Sequence, residues 1–331
     1  MNRGRLIQFA KDHIIIVGAG IFILALVLVN YGPEIIASTF QSDDTSHSFV
    51  SIDNNTPDQR GDIDTRPGVY ELSTPHTFPS LSARSYLIAD LSTGQVLFEK
   101  DSQSPYPIAS ITKLMTAIVS EERLPTERIV TVSPRAQQTG GGLRGGLSTN
   151  QRIALDELRF PLLMTSSNNG AEVIAETFGR QFFIEQMNKK AGELGMWDTY
   201  FDDPSGLSSG NISSADDLFL LMQYLFNKHT DILKISRLSF YSGNDQTWRN
   251  ISTLLREPTF RGGKTGFTNA ARQTSAGIYR ARLNNDAERL LVIVILGSEN
   301  RAGDIRSLMQ FIERYVQYKE ISEEVSVNKS S

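Results

Sequence analysis

Apolar and polar positions divide the chain into three regimes. The first is a nearly unbroken apolar run from Ile14 to Val29, interrupted only by small residues and preceded by Arg3, Arg5 and Lys11. Basic residues before an apolar run mark an export signal or a signal anchor, with the positive end held in the cytoplasm. The run falls a little short of the ~20 residues that span a bilayer, and Asn30 and Tyr31 extend it into the interface. No pair of small residues follows at cleavage-site spacing, so residues 1–37 are expected to form a cytoplasmic stub and an uncleaved membrane anchor through residues 12–31.

The second regime, residues 38–80, is rich in Ser, Thr, Asp, Asn and Pro and shows no sustained period, as expected of a disordered linker. Its acids outnumber Arg60 and Arg66, which favours an extended tether with a reach of about 35 Å as a coil. In the third regime periodicity returns. Strand-like runs over 84–90 and 95–99 flank Ser92-Thr93-Gly94 and predict a hairpin. After Pro105 and Pro107, the residues Ile111, Leu114, Met115, Ile118 and Val119 recur at helical spacing behind Ser110. Further helices are predicted over 155–165, 170–178, 182–194 and 215–226. Strands follow around Lys264, over 273–282 and over 289–297, and a last helix over 302–318. The fold class is therefore α+β: a mostly antiparallel sheet built from both ends of residues 81–320, packed with helices, with a helical subdomain between. Residues 321–331 read as a flexible tail.

Composition narrows the chemistry. The 331 residues contain no cysteine, which excludes thiolate catalysis, and the four histidines (His13, His47, His76, His229) have no metal-ligand spacing. Neither a metal nor another cofactor is expected. A net charge of -4 without clustered Lys and Arg argues against nucleic acid as a partner.

Three short motifs then carry the reading. Ser110-Ile111-Thr112-Lys113 places a lysine one helical turn from a serine, within reach of its hydroxyl. A serine is a weak nucleophile unless a neighbouring base takes its proton, and lysine is such a base only when burial or a second cation depresses its pKa. Lys264 is the candidate second cation, and the helix N-terminus offers N–H groups to a developing oxyanion. Alone, Ser-x-x-Lys also fits a capping serine and a solvated lysine. Ser166-Ser167-Asn168 lies in a turn between two predicted helices, where its residues serve equally as turn formers or as a proton relay and a substrate-orienting amide. Lys264-Thr265-Gly266, flanked by Gly262 and Gly263, places a cation and a hydroxyl on a strand that another backbone can approach, and these can grip a carboxylate on an extended peptide.

This three-motif order resembles penicillin-binding proteins and class A β-lactamases. The segments around it are similar more closely to the D-alanyl-D-alanine carboxypeptidase family of serine-type penicillin-binding proteins. They are Asp90 to Leu97, Ile108 to Ala117, Leu163 to Ala171 and Asp203-Pro204-Ser205-Gly206-Leu207. The resemblance covers residues 83–297 and implies a β-lactamase/DD-peptidase-like fold. It implies that Ser110 is the nucleophile, Lys113 the general base and Ser166 the proton relay. Asn168, Lys264, Thr265 and Gly266 would bind substrate, and the backbone amides of Ser110 and Phe267 would form the oxyanion hole.

The implied substrates are peptidoglycan stem peptides, with β-lactam antibiotics as covalent inhibitors, in an enzyme anchored in the cell membrane with its catalytic domain extracytoplasmic. The chain departs from the family pattern at Asn169-Gly170, where Asp-Ala is usual, and at Arg272, where glycine is common. It is also too short for the family's C-terminal β-domain and amphipathic helix, so anchoring is expected from the N-terminus. A D,D-carboxypeptidase is the leading expectation. The alternatives are a D,D-endopeptidase using the same residues and a catalytically weak penicillin-binding scaffold. A β-lactamase is disfavoured because Glu172 and Glu176 read as one helix face rather than as a deacylating base.

Overall fold

The computed structural model describes residues 68–321, apart from 75, 124, 126, 141–144 and 244–245. The anchor expected over 12–31, the linker before residue 68 and the tail after residue 321 lie outside the described residues. Among the described residues no helix is long and apolar enough to cross a membrane.

Strand β1 (Gly68–Leu72) precedes the hairpin β2 (Ser85–Asp90) and β3 (Val96–Lys100). Late in the chain come β10 (Phe260–Thr268), β11 (Arg272–Arg282), β12 (Glu288–Ser298) and β13 (Val316–Glu320). Between them lie three short pairs: β4 (Tyr106–Pro107) with β7 (Ile212–Ser213), β5 (Ile129–Thr131) with β6 (Arg152–Ala154), and β8 (Phe240–Ser242) with β9 (Thr247–Arg249). The main sheet is antiparallel, ordered β10-β11-β12-β2-β3, so it is built from both ends of the folded region as its hydrophobic pattern predicts. The helices are α1 (Thr112–Arg123), α2 (Pro134–Gln137), α3 (Arg159–Met164), α4 (Asn168–Phe178), α5 (Arg180–Glu193), α6 (Ala215–Lys228), α7 (Thr230–Arg237) and α8 (Arg301–Tyr315).

Strand periodicity explains the layering. Along β12, Leu290, Val292, Val294 and Leu296 enter a core shared with the helical region, whereas Leu291, Ile293 and Ile295 enter a second core with Ile305, Leu308 and Ile312 of α8. A central strand covered on both faces needs a continuous apolar run, and Leu290 to Leu296 is one. The result is helix, sheet, helix, with β10 and β3 as the edge strands of the main sheet.

Three sequence expectations need correction. Part of the linker predicted over 38–80 is strand β1, paired antiparallel with β13, and the helix predicted to reach residue 318 ends at Tyr315. The cause is tertiary. Val316 and Tyr318 fit a helical stripe, but here they alternate as the buried face of β13, and Tyr70 stands opposite Tyr318 with ring centroids 4.8 Å apart. The helix predicted over 155–165 also shortens to α3. Sequence patterning passed over α7 and the three short strand pairs.

The β1–β13 clip is tied to the main sheet by a buried charge. Arg289 Nε lies 2.8 Å from Asp90 Oδ2, both side chains almost fully buried, and the guanidinium stacks 4.1 Å from the Tyr318 ring centroid. The Tyr70 hydroxyl donates to Asp90 Oδ2, while Ser92 and Thr93 backbone N–H groups donate to Oδ1 at 2.8 Å. Burial pushes the Asp90 pKa up, but Arg289 and the hydroxyl and amide donors outweigh it and hold the carboxyl below its ordinary value. Tyr70→Phe is expected to lower the unfolding free energy by about 1–2 kcal/mol, because a buried carboxylate loses a donor. Urea denaturation measures this, and an unchanged midpoint would show that the clip leaves the fold's stability untouched.

Candidate active site

The first motif sits where a short 3₁₀ turn, Ala109–Ile111, feeds α1. Ile111, Leu114, Met115 and Ile118 bury one face of this helix in the main core, which fixes its rotation and turns Lys113 toward the segment Asp203 to Leu207. Three contacts set the turn itself. Thr274 Oγ1 on β11 donates to the Ile108 carbonyl at 2.9 Å. Gly266 on β10 approaches so closely that a Cβ there would stand 2.8 Å from both the Ile108 carbonyl oxygen and the Ser110 nitrogen. At Gly206, with φ 84°, a Cβ would stand 2.0 Å from the Ala109 carbonyl oxygen. Ala109 itself is held at φ 50°, a left-handed conformation costing of order 1 kcal/mol for a residue with a Cβ.

Lys113 is fully buried and Nζ has three acceptors: Ser110 Oγ at 3.0 Å, Asn168 Oδ1 at 2.8 Å and the Ser205 carbonyl at 2.5 Å. Burial depresses its pKa well below the ordinary lysine value, the charge of Lys264 depresses it further, and Asp203 opposes both. The acceptor count then matters. An ammonium can donate to all three, whereas a neutral amine donates to two and keeps a lone pair. With Asn168 and Ser205 taking the two N–H donors, the lone pair is left for the Ser110 hydroxyl, which is the arrangement a general base requires.

The Ser205 carbonyl is positioned by Asp203. Its carboxylate accepts from Ser205 N at 2.6 Å, Ser205 Oγ at 2.7 Å, Gly206 N at 2.7 Å, Ser208 N at 2.6 Å and Asn211 Nδ2 at 2.8 Å. Burial raises the Asp203 pKa, and these donors more than reverse it, so the carboxylate stays ionised. Thr116 Oγ1 donates to the Pro204 carbonyl at 2.6 Å and locks the turn onto α1.

The second motif straddles the start of α4. Ser167 is its N-cap, accepting from Gly170 N at 3.0 Å, so this serine is structural. The capped helix presents Asn168, whose Oδ1 takes Lys113 and whose Nδ2 donates to the Gly140 carbonyl at 3.1 Å. Ser166 adopts φ 57°, and its hydroxyl is buried without a hydrogen-bond partner among the described residues. On β10, Lys264 pairs in register with Ala276, Thr265 with Ser275, Gly266 with Thr274 and Phe267 with Gln273. Burial and then the nearby charge of Arg301 lower the Lys264 pKa from 10.5 to about 7. Arg301, at the start of α8, donates through Nη1 to the Gly266 and Thr274 carbonyls at 2.8 and 2.9 Å.

Hydrogen bonds thus join Ser110, Lys113 and Asn168 directly, while Lys264 acts on Lys113 through its charge. Sequence reasoning gave no role to Asp203, Gly206, Thr274 or Arg301. Asp203-Pro204-Ser205-Gly206 carries the signal of an aspartate-capped turn, but nothing local says that its carbonyl faces a lysine far back in the chain. Arg272, standing where the family commonly has glycine, takes φ 57° and pairs with Glu299 at 2.7 Å.

Two measurements follow from this geometry. In the unfolded chain Lys264 keeps its proton to about pH 10, whereas in the fold it releases it near pH 7. Between these values the unfolded state binds more protons, so stability rises with pH through that window and the burial penalty is fully felt below it. Lys264→Met is therefore expected to flatten the pH dependence of unfolding and to stabilise most at the acid end. An unaltered pH profile would refute the depressed lysine. Gly206→Ala is expected to cost about 2–4 kcal/mol in urea denaturation, since both φ and the Ala109 carbonyl oppose a side chain there.

Known proteins resemble this chain over most of its folded region. A family model described as D-alanyl-D-alanine carboxypeptidase matches residues 72–302. A D-alanyl-D-alanine endopeptidase of Haemophilus influenzae is 37% identical over 214 residues, covering 61% of this chain and 72% of its own. The D-alanyl-D-alanine carboxypeptidase DacB2 of Mycobacterium tuberculosis is 32% identical over 236 residues, covering 68% and 78%. A crystal structure of a D-alanyl-D-alanine carboxypeptidase from Mycobacterium tuberculosis H37Rv superposes with a TM-score of 0.65 at 28% identity, over 73% of this chain and 94% of that one. The match spans both halves of the sheet and all three motifs, and the chain belongs to the D-alanyl-D-alanine carboxypeptidase family of serine peptidases.

Proposed function

We propose that this protein is a D,D-carboxypeptidase that removes the terminal D-alanine from peptidoglycan stem pentapeptides through an acyl-enzyme on Ser110. The observation that carries the reading is a fully buried lysine 3.0 Å from the Ser110 hydroxyl, with its other acceptors already in place. Neutral Lys113 takes the Ser110 proton as Oγ attacks the carbonyl of the penultimate D-alanine. The Ser110 and Phe267 amides receive the oxyanion, Asn168 orients the peptide, and Lys264, Thr265 and the backbone at Gly266 hold the terminal carboxylate. Arg301 adds positive potential behind that strand. Ser166 passes a proton to the departing amine, and water then releases the shortened peptide. β-Lactams present an amide-like carbonyl to the same groups and acylate Ser110. Residues 12–31 anchor the enzyme in the membrane, with the catalytic domain on the wall side, and a reporter fused after Ser38 would be found outside the cytoplasm.

A second reading, cleavage of peptide cross-links by the same residues, is favoured by one finding: the Haemophilus influenzae relative, at 37% identity, is named an endopeptidase. Both reactions pass through the same acyl-enzyme, and the leaving group distinguishes them.

Intact mass after incubation with benzylpenicillin is expected to show one adduct on the protein and none on Ser110→Ala; an adduct on the variant would overturn the nucleophile assignment. Product analysis on soluble stem peptides with and without a cross-link then separates trimming from cross-link cleavage. Acylation requires Lys113 neutral while Lys264 is charged, so kcat/KM is expected to rise as Lys113 loses its proton and to fall as Lys264 does. Lys113→Ala is expected to lower the acylation rate by at least about 10³-fold, and a smaller loss would assign the base elsewhere.

A further inference from the structure

Three polar groups buried on the α8 side of the main sheet converge without a hydrogen-bond partner among the described residues: the Tyr279 hydroxyl, Ser275 Oγ and Arg301 Nε. Ser275, Gly277 and Tyr279 alternate onto one face of β11, and both side chains are fully buried there. The Tyr279 ring folds back along the strand over Gly277, where an added Cβ would stand 3.3 Å from its hydroxyl, so the hydroxyl is aimed at Ser275. Burial raises the Tyr279 pKa, Ser275 and then the charge of Arg301 oppose that rise, and Glu257 adds to it. Arg301 reaches the same place from the start of α8, because its Nη1 donates at 2.9 Å to the carbonyl of Thr274, the residue before Ser275.

The place is rich in donors and positively charged. No carboxylate pairs with Arg301 among the described residues. Glu257, the one acid lining the adjoining cavity of about 440 Å³, is committed to Arg306 at 2.6 Å. That cavity opens on Arg301 and supplies a way in from solvent. One guanidinium N–H and two hydroxyls suit an acceptor that carries negative charge, and an uncompensated cation in a place shut from water favours one. Three donors suffice for a monatomic anion, whereas a carboxylate or phosphate would bury oxygens that no donor reaches.

We propose that Arg301 Nε and the hydroxyls of Tyr279 and Ser275 form a binding site for a small anion of the halide class, behind the strand that carries Lys264. The site has a consequence for catalysis. After burial, the charge of Arg301 is what makes Lys264 release its proton early, so an anion beside Arg301 lets Lys264 keep its charge to higher pH. The other charged groups near Lys264 are few. Lys113 faces it from α1. Helix α7 packs on β10 through Leu233 and Ser236, keeps Asp231 and Lys234 paired with each other at 3.0 Å in solvent, and ends on Arg237 beside Arg280. The link to catalysis rests on the reading of Lys264 as the carboxylate grip, and the site itself does not.

The test exchanges sodium gluconate for sodium chloride at constant ionic strength and follows urea unfolding of the full-length protein. Chloride is expected to stabilise it saturably, shifting the folding equilibrium about tenfold at about ten times its dissociation constant, and bromide to do the same. Tyr279→Phe and Ser275→Ala are expected to fold in gluconate and to lose the difference between the two salts. In pentapeptide turnover, chloride is expected to move the alkaline fall of kcat/KM to higher pH in the unaltered protein and not in Tyr279→Phe. Equal stability in both salts would assign the place to an ordered water and overturn the anion site, as would a chloride effect that survives both substitutions. Stabilisation by chloride with an unmoved alkaline fall would keep the site and overturn its link to Lys264. Benzylpenicillin adduct formation reports on Ser110 separately, so failure of the nucleophile reading leaves the unfolding test intact.

Discussion

A fully buried lysine is the constraint around which the rest of the site is arranged. Withdrawing an ammonium from water is unfavourable, and nothing near Lys113 neutralises it at contact distance; its partners are a serine hydroxyl, an amide oxygen and a backbone carbonyl. The second lysine, on β10, adds repulsion. The fold thus favours the uncharged amine, and an uncharged amine with two acceptors satisfied has one direction left in which to act. Burial is the larger cause of the depressed pKa, and the charge of Lys264 is the second.

Holding that lysine in place recruits distant parts of the chain. Asp203 organises its turn with five donors so that one carbonyl faces Nζ, and Thr116 fastens the turn to the helix that carries the lysine. Gly206 and Gly266 press on the 3₁₀ turn from two sides at distances that no side chain would tolerate. The left-handed conformation at Ala109 persists because these neighbours over-determine it. Sheet and helices therefore meet closely at Ser110, where a serine hydroxyl, an amine and an amide are held by hydrogen bonds to one another.

The opposite side of the sheet shows the same use of buried charge for another end. Asp90 and Arg289 are satisfied by donors and by an aromatic face, and they fasten the β1–β13 pair to the sheet. There the ion pair is complete and holds its charge. At Lys113 no carboxylate is in contact with Nζ, and burial and Lys264 disfavour the charge more than Asp203 supports it.

Much of this was legible locally. The continuous apolar run of Leu290 to Leu296, the helical stripe after Ser110 and the hairpin around Gly94 are short-range patterns, and run length, period and turn chemistry suffice to read them. The serine-lysine spacing is likewise local, because one helical turn brings the two side chains to one face. Other features depended on partners remote in sequence. Val316 and Tyr318 suit a helix or a strand equally, and only Gly68–Leu72, at the other end of the folded region, decides for the strand. Asp203, Thr274 and Arg301 look ordinary in their own segments and acquire meaning from a carbonyl, a turn and a strand that the fold brings to them. By itself the sequence determined the residue chemistry and the order of the elements. Tertiary structure decided which lysine is buried, what it faces and which edges pair, because desolvation and contact are properties of the assembled neighbourhood and not of any one segment.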